Sequence, residues 1–188
     1  LVQLQARLGE MMEAFLAHDE PVGLAEGLLD KVIRGLDMGV VVVDRDLRVL
    51  VWNDFMEIYS GLTAAQILGQ DLCEALPELS RGWFTRKVRG VLLLKNSAFT
   101  TWRQRPHLFR FKARRAVTGG PEWMSQDCTF TPVLDADGEA VAVCISVVDV
   151  TETHAYATLL EQSREVLRDR SQRDGLTGLS NRHHFDQG

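Results

Sequence analysis

The chain has 188 residues, of which 45% are hydrophobic and 25% charged, with a formal net charge of -5; this suits one globular domain plus additional helices and excludes a disordered or fibrous chain. The acidic balance gives no broad basic field of the kind duplex recognition needs, so nucleic acid is not expected as a partner. Three scattered cysteines, Cys73, Cys128 and Cys144, form no C-x-x-C pair, which argues against a disulfide framework or a thiolate zinc site and for reduced, buried thiols in a cytoplasm.

Leu1, Leu4, Leu8, Met11 and Phe15 fall at alternating spacings of three and four, the stripe of an amphipathic helix over residues 1–20. That helix either packs on its own domain or pairs with a second copy. Pro21 and Gly23 end it, and a second short helix carries Leu28, Leu29, Val32, Ile33 and Leu36 on one side. Gly39 to Val43 is rich in β-branched residues and stops at Asp44-Arg45-Asp46, after which Leu47 to Trp52 reads as the returning strand of a hairpin.

Asn53 and Asp54 can cap a helix bearing Phe55, Ile58 and Tyr59, because their side chains accept the free amides of a first turn. Thr63 and Gln66 form a capping box, with Gly69 placed to end the turn. Short helices therefore fill residues 54–80, and a longer one spans Trp83 to Leu94.

From Phe99 the period becomes two: His107, Phe109 and Phe111 share one strand face, expected to be buried, while Arg110 and Lys112 share the other. Thr118-Gly-Gly-Pro121 turns into a strand from Trp123 to Val133, and Asp135-Ala-Asp-Gly138 turns into the apolar strand Val141 to Val150. The last three strands make an antiparallel meander. The fold class is α+β, with short helices on one face of a five-stranded antiparallel sheet.

Residues 151 to 174 contain no Gly or Pro and favour a helix. Tyr156, Leu160, Ser163, Leu167 and Arg170 form a heptad seam, and Ala155, Leu159, Gln162 and Val166 form a competing one. The helix is either a coiled coil or a solvated rod with pairs such as Asp169 and Arg173 on its exposed side.

The order of elements resembles the PAS fold, and several phrases carry the likeness. They are Gly39-Val-Val-Val-Val-Asp44, Val51-Trp52-Asn53, Ile67-Leu68-Gly69-Gln70 and the closing Val148-Asp149-Val150-Thr151-Glu152, similar to the D-[IV]-T phrase at which PAS domains hand over to an effector. A second phrase, Arg173-Asp-Gly-Leu-Thr-Gly-Leu-Ser-Asn-Arg182 with Phe185 beyond it, resembles the opening of GGDEF domains. Its Asp174, Leu176, Thr177, Gly178, Leu179, Asn181 and Arg182 match the family phrase, where the Asp and Arg fasten the entering helix; His183 stands where a second basic residue is usual.

These resemblances imply a segment of a bacterial diguanylate cyclase. The expected parts are an N-terminal helix over 1–20, a PAS sensor over 21–150, a signalling helix over 151–173 and the start of a GGDEF domain over 174–188. GTP and magnesium would be handled by catalytic residues beyond Gly188, so the segment itself is not expected to be catalytic. Asp149, Thr151, Tyr156, Leu160 and Leu167 are the expected signal relay, acting in a homodimer. A cytoplasmic location is expected, with any membrane anchor lying upstream of Leu1. The alternatives are a PAS module that only dimerises, or a sensor joined to a degenerate GGDEF nucleotide receptor ahead of a phosphodiesterase.

A PAS cavity can hold a small molecule. Candidate lining residues are Trp52, Asn53, Trp83, His107, Phe109 and Trp123, although ordinary core packing accounts for the tryptophans equally well. A light-sensing flavin site would need an Asn-Cys core, whereas the matching stretch reads Gly69-Gln-Asp-Leu-Cys-Glu-Ala-Leu76. Haem would need an axial histidine on the long helix, and Trp83 to Lys95 has none. No histidine pair has the spacing of a metal site. Arg103, Arg105, Arg110, Arg114 and Arg115 make a local basic cluster that either takes an anion, docks a catalytic domain or is simply a solvated face.

Overall fold

The computed structural model describes residues 23–113 and 122–172. The expected helix over 1–20 and the whole phrase from Arg173 to Phe185 lie outside the described residues. The first described helix, α1, is Gly23–Arg34, and it delivers the chain into the hairpin of β1 (Gly39–Asp44) and β2 (Val49–Trp52). Gly39 suits the crowded head of β1, because a Cβ there would meet Met56 Sδ at 2.6 Å and Val147 Cβ at 3.0 Å. The turn between the strands is built by Asp44, whose Oδ1 accepts from Asp46 N at 2.9 Å and Arg48 N at 2.8 Å.

Three short helices follow, α2 (Asp54–Ser60), α3 (Ala64–Ile67) and α4 (Leu72–Ala75). Each start is chemically marked. Asn53 caps α2, Gln66 Oε1 accepts from Thr63 N at 2.9 Å at α3, and Asp71 Oδ1 accepts from Cys73 N at 2.8 Å at α4. The longer α5 (Arg81–Leu94) lays Phe84, Val88 and Val91 against the sheet.

The sheet is completed by β3 (Ala98–Thr100), β4 (Gln126–Leu134) and β5 (Ala140–Asp149), in the order β2-β1-β5-β4-β3 with every pairing antiparallel. The hairpin between β4 and β5 turns on Asp135, whose Oδ1 accepts from Asp137 N and Glu139 N, and on Gly138 at φ +76°. The central strand β5 runs into the 22-residue helix α6 (Thr151–Gln172).

The third strand is much shorter than its period-two pattern predicts. Phe109 and Phe111 are buried as expected, yet residues 101–113 are irregular: an isolated bridge between Lys112 and Trp123 and single bonds such as Met124 N to Phe111 O and Gln126 N to Pro106 O, each 2.8 Å, take the place of a continuous ladder. The ladder ends because the backbone at Leu108 and Phe109 bonds to the side chain of Gln126 instead of to a neighbouring strand. Accordingly β4 starts at Gln126 rather than Trp123.

Two apolar clusters flank the sheet. The inner one, between sheet and helices, contains Phe84, Phe109, Phe111, Phe130, Met124 and Ile145, all fully buried. The outer one seats α1 on the other sheet face, through Ile33 against Val40, Val42, Val133, Ala142 and Cys144. Both faces of β1 are thereby covered, which explains its unbroken valine run.

Candidate functional site at the root of the C-terminal helix

Only Val150 separates β5 from α6, and its N–H donates to Ser125 O at 2.8 Å. Asp149 Oδ1 accepts from Thr151 N at 2.9 Å and from the Thr151 hydroxyl, which caps the first turn of α6. The same Thr151 Oγ1 accepts from Ser125 N at 3.0 Å. This phrase needs a carboxylate that only accepts and a hydroxyl that both donates and accepts. Thr151 is buried, so its bonds are shielded from water.

A second tier lies one turn along the helix. Ser125 Oγ sits 2.7 Å from His154 Nδ1, and the His154 ring stacks on Trp102 with centroids 4.1 Å apart. Trp102 N in turn donates to Asp127 Oδ1 at 2.8 Å. The root of α6 is therefore keyed to the start of β4 and to the turn after β3. Gln126, fully buried beside them, accepts from Leu108 N and Phe109 N at 2.9 Å each and donates to Phe109 O at 2.8 Å. An open cleft of about 510 Å³ adjoins this junction, lined by Asp37, Phe55, Tyr59, Asp149, Thr151 and Glu152 among others.

The residues expected to line an interior cavity are distributed unevenly. Trp52 and Phe109 join the inner cluster with Trp83 packed against it, and Trp52 Nε1 donates to Leu62 O at 3.0 Å. Asn53 is buried and committed to the backbone: its Oδ1 accepts from Val40 N at 2.9 Å, and its Nδ2 donates to Ile33 O at 3.0 Å and Met38 O at 2.9 Å. His107 is half-buried in the irregular segment, and Trp123 is half-buried under the Arg110 guanidinium at 4.7 Å. The space between helices and sheet is occupied by the fully buried phenylalanines named above.

Burial pushes the Cys144 thiol up to about 12. Burial also raises Cys128 strongly, with Asp127 adding to it, and raises Cys73, where Asp71 adds and Arg81 opposes. All three are inert thiols rather than nucleophiles. Among the described residues no group of three His, Cys, Asp or Glu side chains could hold a metal ion, and no helix is long and apolar enough to cross a membrane.

The relay residues divide in the same way. Asp149 and Thr151 meet at the junction, whereas Tyr156, Leu160 and Leu167 stand on α6 with 67%, 55% and 65% of their surface exposed. Leu159 and Val166 of the competing seam are equally bare, at 60% and 54%. Sequence reasoning missed Ser125, Gln126, Trp102 and His154. None has a local motif; the only hint was a polar Ser-Gln pair leading into an otherwise apolar strand.

Comparison with known proteins agrees with this architecture. The sequence profile of the family described as PAS fold matches residues 33–155. Among solved structures, a sensory box sensor histidine kinase from Vibrio cholerae is 27% identical and covers 69% of this chain and 94% of its own, with a TM-score of 0.50. An RNA-binding light-oxygen-voltage receptor is 19% identical with a TM-score of 0.56, over 81% of this chain and 40% of that one. The PAS domain of a Colwellia psychrerythraea protein is 16% identical with a TM-score of 0.50, over 68% of this chain and 98% of that one. The latter two show likeness of fold alone. A search of curated protein sequences finds no match. The chain belongs to the PAS fold family and carries a PAS sensory domain.

Proposed function

We propose that the chain is the regulatory segment of a diguanylate cyclase, in which the PAS domain sets the geometry of two GGDEF domains through a pair of α6 helices. The observation that carries this reading is the sequence Arg173-Asp-Gly-Leu-Thr-Gly-Leu-Ser-Asn-Arg182, which follows α6 directly. On this reading residues 1–20 are a pairing helix, 21–150 the sensor, 151–173 the transmitter and 174–188 the entry into the catalytic domain. The G-G-[DE]-E-F turn of that family does not occur in the 188 residues.

Joining two GTP molecules requires two sites to face one another, and the rate follows from how well they are opposed. The exposed leucines of α6 suit a helix pair, since apolar seams at heptad spacing associate by burying each other. Two seams of similar composition suit two registers. A signal at the Asp149 and Thr151 root acts by its differential affinity for those two states.

The test is synthesis of cyclic di-GMP from GTP by the purified parent protein. Turnover that is lost on Leu160→Asp with Leu167→Asp supports the reading, and a parent that binds GTP without turnover replaces it with a nucleotide receptor. A second reading, a PAS module that only dimerises, is favoured by the phenylalanine-filled interior. Native mass spectrometry of freshly purified protein separates the two, because a bound small molecule excludes a bare spacer.

A further inference from the structure

The chain is acidic overall, yet its charges are segregated. Between Glu78 and Glu122 the sequence has no Asp or Glu and 11 of its 21 Lys and Arg residues. The described part of this stretch forms α5, β3 and the irregular segment beyond. On α5, Arg86, Arg89 and Leu93 share one solvent-facing stripe at spacings of three and four, with Leu94 beside it. Leu93 is 82% exposed, more than any other large apolar side chain among the described residues, and Leu94 is 69% exposed.

Three guanidinium groups in the stretch lie over tryptophan rings: Arg105 on Trp83 at 4.4 Å, Arg103 on Trp102 at 4.7 Å and Arg110 on Trp123 at 4.7 Å. Lys87 reaches the Trp83 ring at 5.9 Å and donates to Phe99 O at 2.9 Å, which ties α5, β3 and Arg105 into one surface. A guanidinium held over a ring by cation–π attraction keeps the donors on its edge available in a fixed plane, already oriented for the oxygens of a phosphate.

Few acids answer these cations. Asp71 and Glu74 pair with Arg81 at 2.7 and 3.5 Å, Glu161 stands 3.8 Å from Arg103, Glu139 pairs with Lys95 at 2.8 Å, and Asp127 is engaged by Trp102 N. Among the described residues, Arg86, Lys87, Arg89, Arg105, Arg110 and Lys112 take part in no ion pair closer than 4.0 Å to a carboxylate.

We propose that this face docks on an anionic phospholipid surface, with Arg86, Arg89, Arg103 and Arg105 meeting headgroup phosphates and Leu93 and Leu94 entering the acyl boundary. The bare leucines at the tip of a cationic helix favour a bilayer over a soluble phosphate, which offers them nothing to bury into. Nucleic acid is disfavoured at Trp102, which already has His154 stacked on it at 4.1 Å and Arg103 over it at 4.7 Å and so does not offer that ring to a base.

The experiment is vesicle flotation of the 188-residue chain with phosphatidylcholine alone and with phosphatidylcholine containing phosphatidylserine. Binding to the anionic vesicles only, weakened about tenfold or more by Arg103→Gln with Arg105→Gln and also by a rise in salt, is expected. Leu93→Ser with Leu94→Ser is expected to weaken it several-fold while leaving the charge and, by circular dichroism, the fold unchanged. Absence of binding to the anionic vesicles, or equal binding to neutral ones, overturns the proposal. Binding that ignores the leucine pair and is matched by polyglutamate or heparin also overturns it, and assigns the face to acidic macromolecules instead.

Discussion

The Thr151 hydroxyl at the start of α6 and the Ser125 N–H just before β4 are joined by a buried hydrogen bond of 3.0 Å. Together with the Val150 N bond to Ser125 O, it fastens the exit of the central strand to the beginning of its neighbour. Replacing Thr151 by Val keeps the shape but leaves Ser125 N unpaired and removes the donor to Asp149. A loss of about 1–3 kcal/mol of stability is expected, read by denaturant titration. Hydrogen exchange is expected to accelerate selectively in the first turn of α6.

Gln126 acts as a piece of strand made from a side chain. Gln126→Leu removes three bonds to Leu108 and Phe109 at once, and the backbone groups left behind are buried. A destabilisation of about 3 kcal/mol or more is expected. Gln126→Glu retains the acceptor for both N–H groups but cannot donate to Phe109 O when ionised, so it should fall between wild type and Leu. Thermal melting of the three proteins tests that ranking.

Asn53 joins α1, β1 and α2 through one amide. Asn53→Asp keeps the acceptor for Val40 N and turns the donor toward Ile33 O and Met38 O into a second oxygen. The outcome expected is a loss of about 2 kcal/mol or more, together with loosening of α1 from the sheet. Proteolysis near Arg34 that stays at the wild-type rate would refute it.

Cys128 and Cys144 give the fold a defined alkaline limit. An unfolded thiol titrates near 9.0, whereas burial holds Cys144 protonated up to about 12 and raises Cys128 as well. Above pH 9 the unfolded chain therefore binds fewer protons than the folded one. The stabilising contribution is complete below pH 9 and is lost as pH rises toward 12, by up to about 1.4 kcal/mol per pH unit for each thiol. Cys144→Ala should flatten the stability curve above pH 9 relative to wild type, and an unchanged slope would contradict the assignment.

Leu160→Asp with Leu167→Asp changes side chains that are 55% and 65% exposed on α6. The melting temperature of the PAS domain should stay within about 4 °C, because exposed substitutions rarely exceed ~0.5 kcal/mol each. Self-association should fall at the same time. Analytical ultracentrifugation showing the same mass distribution for wild type and variant would end the paired-helix reading.

Much of the fold was legible because local chemistry and tertiary structure agree. The Asp44 and Asp135 turns, the Thr63 and Gln66 box and the unbroken helical composition after Thr151 all behave in the structure as their residue types dictate. The segment after β3 was misread for a physical reason. His107, Phe109 and Phe111 alternate with polar residues as in a strand, but alternation records extended backbone, not a partner for its hydrogen bonds. That partner is Gln126, and a bond across 17 or 18 positions leaves no periodic trace.

The same gap hid the upper part of the junction. Asp149 and Thr151 form a local phrase that can be read in order, whereas Trp102, Ser125 and His154 come from three places and meet only once the sheet has formed. Asn53 was half legible. Its capping role follows from its position, but its grip on Ile33 and Met38 does not.

The central strand of the sheet continues, through a single residue, into a helix of 22 residues. At a rise of about 1.5 Å per residue, that helix is a lever about 33 Å long pivoting on Val150. A tilt of about 5° at the pivot swings its far end by about 3 Å, roughly the length of a hydrogen bond. Displacements too small to unseat any core side chain thus become, at Gln172, large enough to make or break a contact.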